Sequence, residues 1–419
     1  MEKITNYGKW SRTGKRREDP VKARPLPESV LRLIWQEHRI SRAEIARRFG
    51  LSRSTVTEIV KELLQTGFVM ETGSGESRGG RRPIVLEFDD TARVILGIDI
   101  GADHVAAVMT DLRGRPLAWE SRPHPVWEDP EGTITTAIEL GDACLAARTG
   151  SAPPLLHVGV AVPSPVDPFH PDALPETIIP AWKGRNEFNR LHPHFGVPVH
   201  IDNDANLGAL AEHRWGAGRG VDDMIYIKVA QGIGAGHILA GGIYRGAGGY
   251  AGEIGHMALD PEGDECMCGL RGCLVLLVGS AALETRAAEL YAAKRPRRKP
   301  AAPPSIDAIE DDALAGDPIA IRVITEAAEH LGTAIVGWCN LMNPSMVILG
   351  GNLVRTGDIL LTPLRKRVDT CTLVGAAAAD IRGGDLGHQA IAIGAATLAL
   401  EAALDQPSML HADETGPLS

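Results

Sequence analysis

Four potential metal ligands crowd into one short stretch, "GHMALDPEGDECMCGLRGC": His256, Cys266, Cys268 and Cys273. Three thiolates and one imidazole complete a tetrahedral shell with no open position, which suits a structural Zn2+ rather than a hydrolytic one. Soft thiolates also disfavour Mg2+ and Ca2+. Gly263, Gly269 and Gly272 supply the tight turns that bring ligands so close in sequence onto one ion. Two other readings stay open: ordinary buried cysteines, or a redox pair, for which no Cys-x-x-Cys helix start is present.

The remaining cysteines agree with a reducing compartment. The chain has six in all, with three packed between 266 and 273, which is no disulfide framework. Its first residues, "MEKITNYGKWSRTGKRRED", are polar and lack the order of a secretion signal. No stretch is apolar enough to span a bilayer. A cytoplasmic protein of two or three domains is expected from 419 residues, 44% hydrophobic and 23% charged.

The net charge of −10 conceals a split. Residues 1–82 hold 18 Lys and Arg against 10 Asp and Glu, whereas 83–419 hold 25 against 43. A basic module of +8 that meets nucleic acid, joined to an acidic body of −18, is the organisation this implies.

Residues 26–70 read as three short helices. In "ISRAEIARRFG", Ser41 is an N-cap, Glu44 completes a capping box, and Gly50 ends the helix. "LSRSTVTEIVKELLQTG" restarts it with Ser52 as cap. Val56, Ile59, Val60, Leu63 and Leu64 recur at helical spacing toward a core. Arg53, Ser54, Thr55 and Thr57 remain at the exposed front. Two capped helices with a tight turn and a polar front form a helix-turn-helix. "FVMETGSGESRGGRRPIVLEF" then reads as a wing, with Arg78, Arg81 and Arg82 at its tip for the phosphate backbone or minor groove of double-stranded DNA.

From residue 94 the pattern becomes mixed α/β. "VILGIDIGADHVAAVMTDLRGRPLAWE" predicts three strands with turns at Gly101 and at 113–114. "LLHVGVAVP", "VPVHIDND", "MIYIKVA", "GHILAGGIY" and "MVILGG" are further strands, with helices near 133–148, 205–215, 317–341 and 390–404. The implied domains are a basic segment 1–25, a winged helix-turn-helix 26–90, a body 91–405 and a tail 406–419. The basic, proline-rich stretch 294–306 reads as a surface loop.

These motifs together resemble the ROK family of repressors, open reading frames and kinases. The likeness rests on the winged helix, "GIDIGADH", "GVAVPSPVD", "DNDANLGALAE", "GAGGYAGEIGHM" and "CMCGLRGC". It implies a two-lobed, actin-like ATPase fold of the sugar-kinase kind, a structural zinc, a sugar pocket in the cleft, and a homodimer or homotetramer. It further implies that Asn203, Asp204, Glu253 and His256 meet the sugar, with Asp204 the general base wherever phosphoryl transfer occurs. His256 would then serve zinc with one nitrogen and the sugar with the other.

The chain also departs from the family's kinases. Asp99, Gly101, Gly232 and Gly234 keep the outline of the two phosphate loops. A hydroxyl residue of the first loop is replaced by Asp103, and the Gly-Thr-Gly of the second reads Ala230, Gln231, Gly232. Each hydrogen bond lost to a charged phosphate costs roughly 1.5–3 kcal/mol. A carboxylate nearby adds repulsion, and together these speak against ATP and Mg2+ as cofactors. Val275 stands where relatives carry a sugar-binding glutamate, and Ser164 replaces a glycine. The expected protein is a DNA-binding regulator of carbohydrate-metabolism genes with a carbohydrate effector. The alternatives are a sugar kinase carrying a DNA-binding module and a ligand-independent dimeric scaffold.

Overall fold

The computed structural model describes residues 26–74, 84–147, 153–171, 180–183, 187–294, 303–373 and 379–405. Contacts divide the chain into two units: the part up to Ala92 with the segment from Glu401 onward, and Arg93–Leu400. Segment 1–25, the wing-tip arginines Arg78, Arg81 and Arg82, most of the stretch 294–306, and tail 406–419 lie outside the described residues.

The first unit runs α1 (Leu26–Glu37), β1 (Arg39–Ser41), α2 (Arg42–Phe49), α3 (Arg53–Gln65), β2 (Val69–Ser74) and β3 (Ile84–Phe88). β3 is central, antiparallel to both β1 and β2. Val30, Leu31, Ile34, Ile45, Val56, Val60 and Leu86 are fully buried between helices and sheet. Ser41 accepts the Glu44 amide at 3.2 Å and Ser52 that of Thr55 at 3.1 Å, so both expected caps form. Gly50 ends α2 in the left-handed region at φ 64°. The other half of the expected capping box is replaced. Ser41 also belongs to β1, opposite Val85, and the Glu44 carboxylate turns outward to Arg47.

In the second unit, β4 (Val94–Ile100), β5 (His104–Thr110) and β6 (Pro116–Pro123) form an antiparallel meander. α4 (Pro130–Ala146) returns the chain to β7 (Leu155–Val162), and the short α5 (Leu191–Phe195) leads into β8 (Val199–Asn203). β7 and β8 lie parallel to β4, giving the order β6-β5-β4-β7-β8. α6 (Asp204–Trp215) opens a second copy of the same design. β9 (Met224–Val229), β10 (Ile233–Leu239) and β11 (Gly242–Ile243) make the meander. After α7 (Val275–Val278), α8 (Ser280–Lys294), α9 (Ile306–Leu314) and α10 (Pro318–Met342), β12 (Met346–Gly351) pairs parallel with β9. α11 (Asp358–Cys371) precedes β13 (Asp380–Gly383), and the order is β11-β10-β9-β12-β13. α12 (Ala390–Leu404) closes the fold.

Each sheet thus carries a hairpin turn at the same place in its order, residues 101–103 between β4 and β5, and 230–232 between β9 and β10. Strands buried on both faces explain the continuous apolar runs of "VILGIDI" and "MIYIKV". β1, α5, α7, α8, α9, α11 and β13 are elements that no sequence pattern above announces. In α8, "SAALETRAAELYAAK", alanines on every side blur the apolar stripe.

A stacked imidazole pair joins β7 to β8. His157 and His200 have ring centroids 5.0 Å apart and a nitrogen–nitrogen distance of 3.1 Å. Burial, and then the neighbouring imidazole, push His157 down to about 4, and burial lowers His200 as well. A depressed histidine pKa stabilises the fold fully above the ordinary value of 6.5, and this is lost as pH falls toward 4. His157 should therefore cost about 3 kcal/mol of stability between pH 7 and pH 4. Urea unfolding of His157→Phe should show a shallower acid slope than the parent; an unchanged slope would place the loss elsewhere.

Candidate functional site

The two hairpin turns, the N-terminus of α6 and the segment after β11 enclose a cavity of about 390 Å³. α6 begins here because Asn203 caps it, accepting the amides of Ala205 at 2.9 Å and Asn206 at 3.1 Å. Its Nδ2 donates to the Ser164 carbonyl at 3.1 Å, fixing the cap against the end of β7. Asp202 stiffens the same turn, accepting from the Asn203 amide, the Asn206 side chain and the Arg245 guanidinium. Asp204 consequently projects from the first turn of α6 into the cavity, and it is buried.

Glu253 reaches the cavity from a loop that lies directly on β10. Gly252 has φ 104°, and a Cβ there would meet the Ala235 carbonyl oxygen at 1.8 Å, so this crossing demands glycine. Burial, and then the charge of Asp204, push the Glu253 carboxyl up to about 7. Near neutrality it both donates and accepts.

Lys228 completes the polar wall, a residue that none of the sequence motifs includes. It lies on β9, a strand buried throughout, and its Nζ donates to Asp204 Oδ2 at 2.6 Å. Burial works to lower its pKa, but the charges of Asp204 and Asp99 outweigh it and raise the value. The signal was a lone lysine inside "MIYIKVA", since an ammonium on a buried strand needs an anionic partner. Trp127, Ile233, Met267 and Val275 give the cavity its apolar side, and Ser164 also lines it.

The first hairpin turn is filled by its own side chain. His104 approaches Asp103 at 2.9 Å and Asp99 at 3.5 Å. Its ring covers Gly101, where a Cβ would come within 2.3 Å of the imidazole. Burial would lower its pKa, but the hydrogen bonds and charges of Asp103 and Asp99 prevail and raise it to about 10. Asp99 keeps one buried oxygen, Oδ1, with no hydrogen-bond partner among the described residues, the one feature here that suits a cation. In the second turn, Gly232 and Gly234 line the cavity beside Gln231, with no hydroxyl at 230–232. An imidazolium on Asp99, a carboxylate at 103 and no loop hydroxyl do not fit Mg-ATP.

The four metal-ligand candidates converge. The ligand atoms of His256, Cys266, Cys268 and Cys273 all lie within 4.8 Å of one another. His256 Nδ1 is 3.6 Å from Cys266 Sγ, and Cys268 Sγ is 3.6 Å from Cys273 Sγ. Bonds of about 2.3 Å to one tetrahedral ion place sulfurs at such separations. His256 also lines the cavity, so the cluster borders it directly.

In the first unit, Arg53, Ser54, Thr55 and Thr57 all lie exposed at the start of α3. Ser52 bonds to Ser54 and Thr55, and Thr57 to the Arg53 carbonyl. Arg42, Arg47 and Arg48 are paired with glutamates, whereas the Arg53 side chain has no partner among the described residues. Among those residues, no helix is long and apolar enough to cross a membrane.

Residues 95–402 match the model of the ROK family, and 27–70 match that of winged helix-turn-helix DNA-binding domains. The chain is 30% identical to the xylose repressor of Bacillus subtilis (strain 168), over 91% of this chain and 96% of that protein. A solved ROK family transcriptional regulator, homologous to the E. coli MLC protein, superposes with a TM-score of 0.74 at 25% identity, covering 92% and 97% of the two chains. The ROK family glucokinase of Streptomyces griseus, in complex with glucose and AMPPNP, gives 0.65 at 28% identity, covering 74% and 99%. The chain belongs to the ROK family and carries an N-terminal winged helix-turn-helix DNA-binding domain.

Proposed function

We propose that this protein is a sugar-responsive transcriptional regulator that binds an operator in double-stranded DNA and does not phosphorylate its ligand. One observation carries the reading: Asn203, Asp204, Glu253 and His256 meet in a cavity whose first phosphate loop is occupied by its own His104 and two carboxylates and whose second offers no hydroxyl at 230–232. Carboxylates, an amide and an aromatic face in one cavity suit a polyhydroxylated ring. The exposed polar front of α3, with Arg53 lacking a counter-charge among the described residues, supplies the DNA contact. Its working compartment is that of the operator, the cytoplasm.

In this reading His256, Cys266, Cys268 and Cys273 hold a structural Zn2+, whose bonds would fix the loop bordering the cavity. Two copies of the chain would present two winged helices to a two-fold operator. The effector regulates because it binds one arrangement of the DNA-binding units better than another.

Titration of operator-bound protein with D-xylose, D-glucose and N-acetyl-D-glucosamine tests this. At least one should change operator affinity by about 5–150-fold, at a fixed salt concentration. With Mg-ATP and the same sugars, ADP release should stay at background. Steady turnover would make the chain a kinase; a full panel without effect on operator affinity would remove the effector from the reading.

A further inference from the structure

Lys228 and Asp204 form a buried ion pair inside the cavity, and nothing in the phosphoryl-transfer chemistry of the fold calls for it. Lys228 is 7% exposed and Asp204 5%, yet both line the cavity. An ammonium has three N–H donors. One goes to Asp204 Oδ2 at 2.6 Å, and no other partner of Nζ is found among the described residues. Asp204 Oδ1 takes the Ala205 amide at 2.6 Å, leaving lone pairs of the carboxylate open to the cavity. A donor and an acceptor thus stand side by side.

We propose that Lys228 is a ligand-binding, specificity-determining residue, and that the Lys228–Asp204 pair clamps a single hydroxyl group of a neutral sugar. The hydroxyl donates to the Asp204 carboxylate and accepts from Lys228 Nζ, so both of its hydrogen-bonding functions are used. Held in this way, the carboxylate binds a hydroxyl without removing its proton. This rests on reading the cavity as a sugar site and narrows that reading to unphosphorylated, uncharged sugars.

The narrowing follows from the charges around the pair. Asp99 on β4, Asp103 in the first hairpin turn and Asp204 on α6 face two cations, Lys228 and His104. Three carboxylates against two cations leave the cluster negative, before Glu253 from the loop above is added. The ammonium is already committed to Asp204, so a sugar phosphate or sugar acid would meet uncompensated carboxylates.

The test uses the full chain, with calorimetry or the change in total tryptophan fluorescence reporting binding of D-xylose, D-glucose and N-acetyl-D-glucosamine. D-glucose 6-phosphate and D-glucuronate serve as anionic counterparts. At least one neutral sugar should bind, and the anions about tenfold more weakly or worse. Among monodeoxy analogues of the bound sugar, one position should lose about tenfold or more with the parent protein. Lys228→Gln should weaken the parent sugar about tenfold, and removing that same hydroxyl should then cost clearly less than it does with the parent protein, because the contact to Nζ is already gone and only that to Asp204 remains. A lysine that only supported the fold would give additive losses at every position, and that result overturns the proposal. So would tighter binding of an anionic sugar, even while neutral sugars still regulate the operator. If Lys228→Gln fails to fold, Lys228→Arg and the deoxy series on the parent remain: no single sensitive hydroxyl would be equally fatal. Absence of binding by every sugar would overturn the sugar-site reading as well.

Discussion

Cys273→Ser is expected to release the metal, lower the melting temperature by about 10 °C or more and abolish the response to sugar. The chain between His256 and Cys273 is short of core: Glu262, Asp264, Met267 and Leu270 are among its exposed or half-exposed residues. What holds it are turns around Asp260 and Gly272 and the convergence of four ligands. Zinc binding to such a set contributes folding free energy directly, about 10–16 kcal/mol in peptides that fold only with metal. Even half of that would move the midpoint of a domain this size by about 10 °C. The effect should reach the cavity through His256, whose Nδ1 faces Cys266 while the residue lines the wall beside Glu253. Elemental analysis should find about one Zn2+ per parent chain and little in the variant. Cys371→Ser, altering an exposed cysteine far along the chain, is the control and should change neither quantity. A variant that loses zinc but melts with the parent would make the loop self-supporting and the metal dispensable to the fold.

The parts of the fold and of the site that were legible in the sequence are those in which one residue type has one physical use. Ser41, Ser52 and Gly50 declare helix ends because each satisfies or permits a specific backbone geometry, and all three do so. The clustered cysteines declare a common centre because thiolates so close in sequence have few other tasks. Asn203 was expected on the sugar, and the structure adds that its carboxamide is largely spent on capping α6 and on Ser164. Two features escaped. His104 looks like any polar residue after a turn, and its role depends on Asp99 and Asp103 approaching from either side of Gly101. Lys228 meets Asp204 only because β9 and the start of α6 converge, and pairing across 24 positions leaves no local pattern. β1 was missed for a similar reason: three residues become a strand only when β3 arrives beside them.

Gly159→Ala and Gly97→Ala are each expected to cost about 4 kcal/mol or more, the effect of adding a single methyl group. A Cβ at Gly159 would lie 1.8 Å from the Ala395 carbonyl oxygen, and one at Gly97 2.0 Å from that of Ala392. Both obstacles are the backbone of α12, which cannot swing aside as a side chain can. Relief requires moving the helix off β4 and β7 by more than an ångström, over a surface where Ala392, Ala395, Ala396 and Ala399 are buried. The helix cannot retreat in the other direction either, since Gly394 brings it equally close to the Leu207 carbonyl of α6. α12 is therefore held between the first sheet and the helix that begins with Asp204, with backbone against backbone on both sides. Any closure of the cavity that shifts α6 relative to the first sheet must carry α12 or break these contacts. Thermal melts of the two alanine variants should fall by about 10 °C. Gly232→Ala, where a Cβ meets nothing within 4 Å, should stay within about 0.5 kcal/mol of the parent. If Gly159→Ala melted with the parent, α12 would have room to slide, and the cavity could close without passing its movement along that helix.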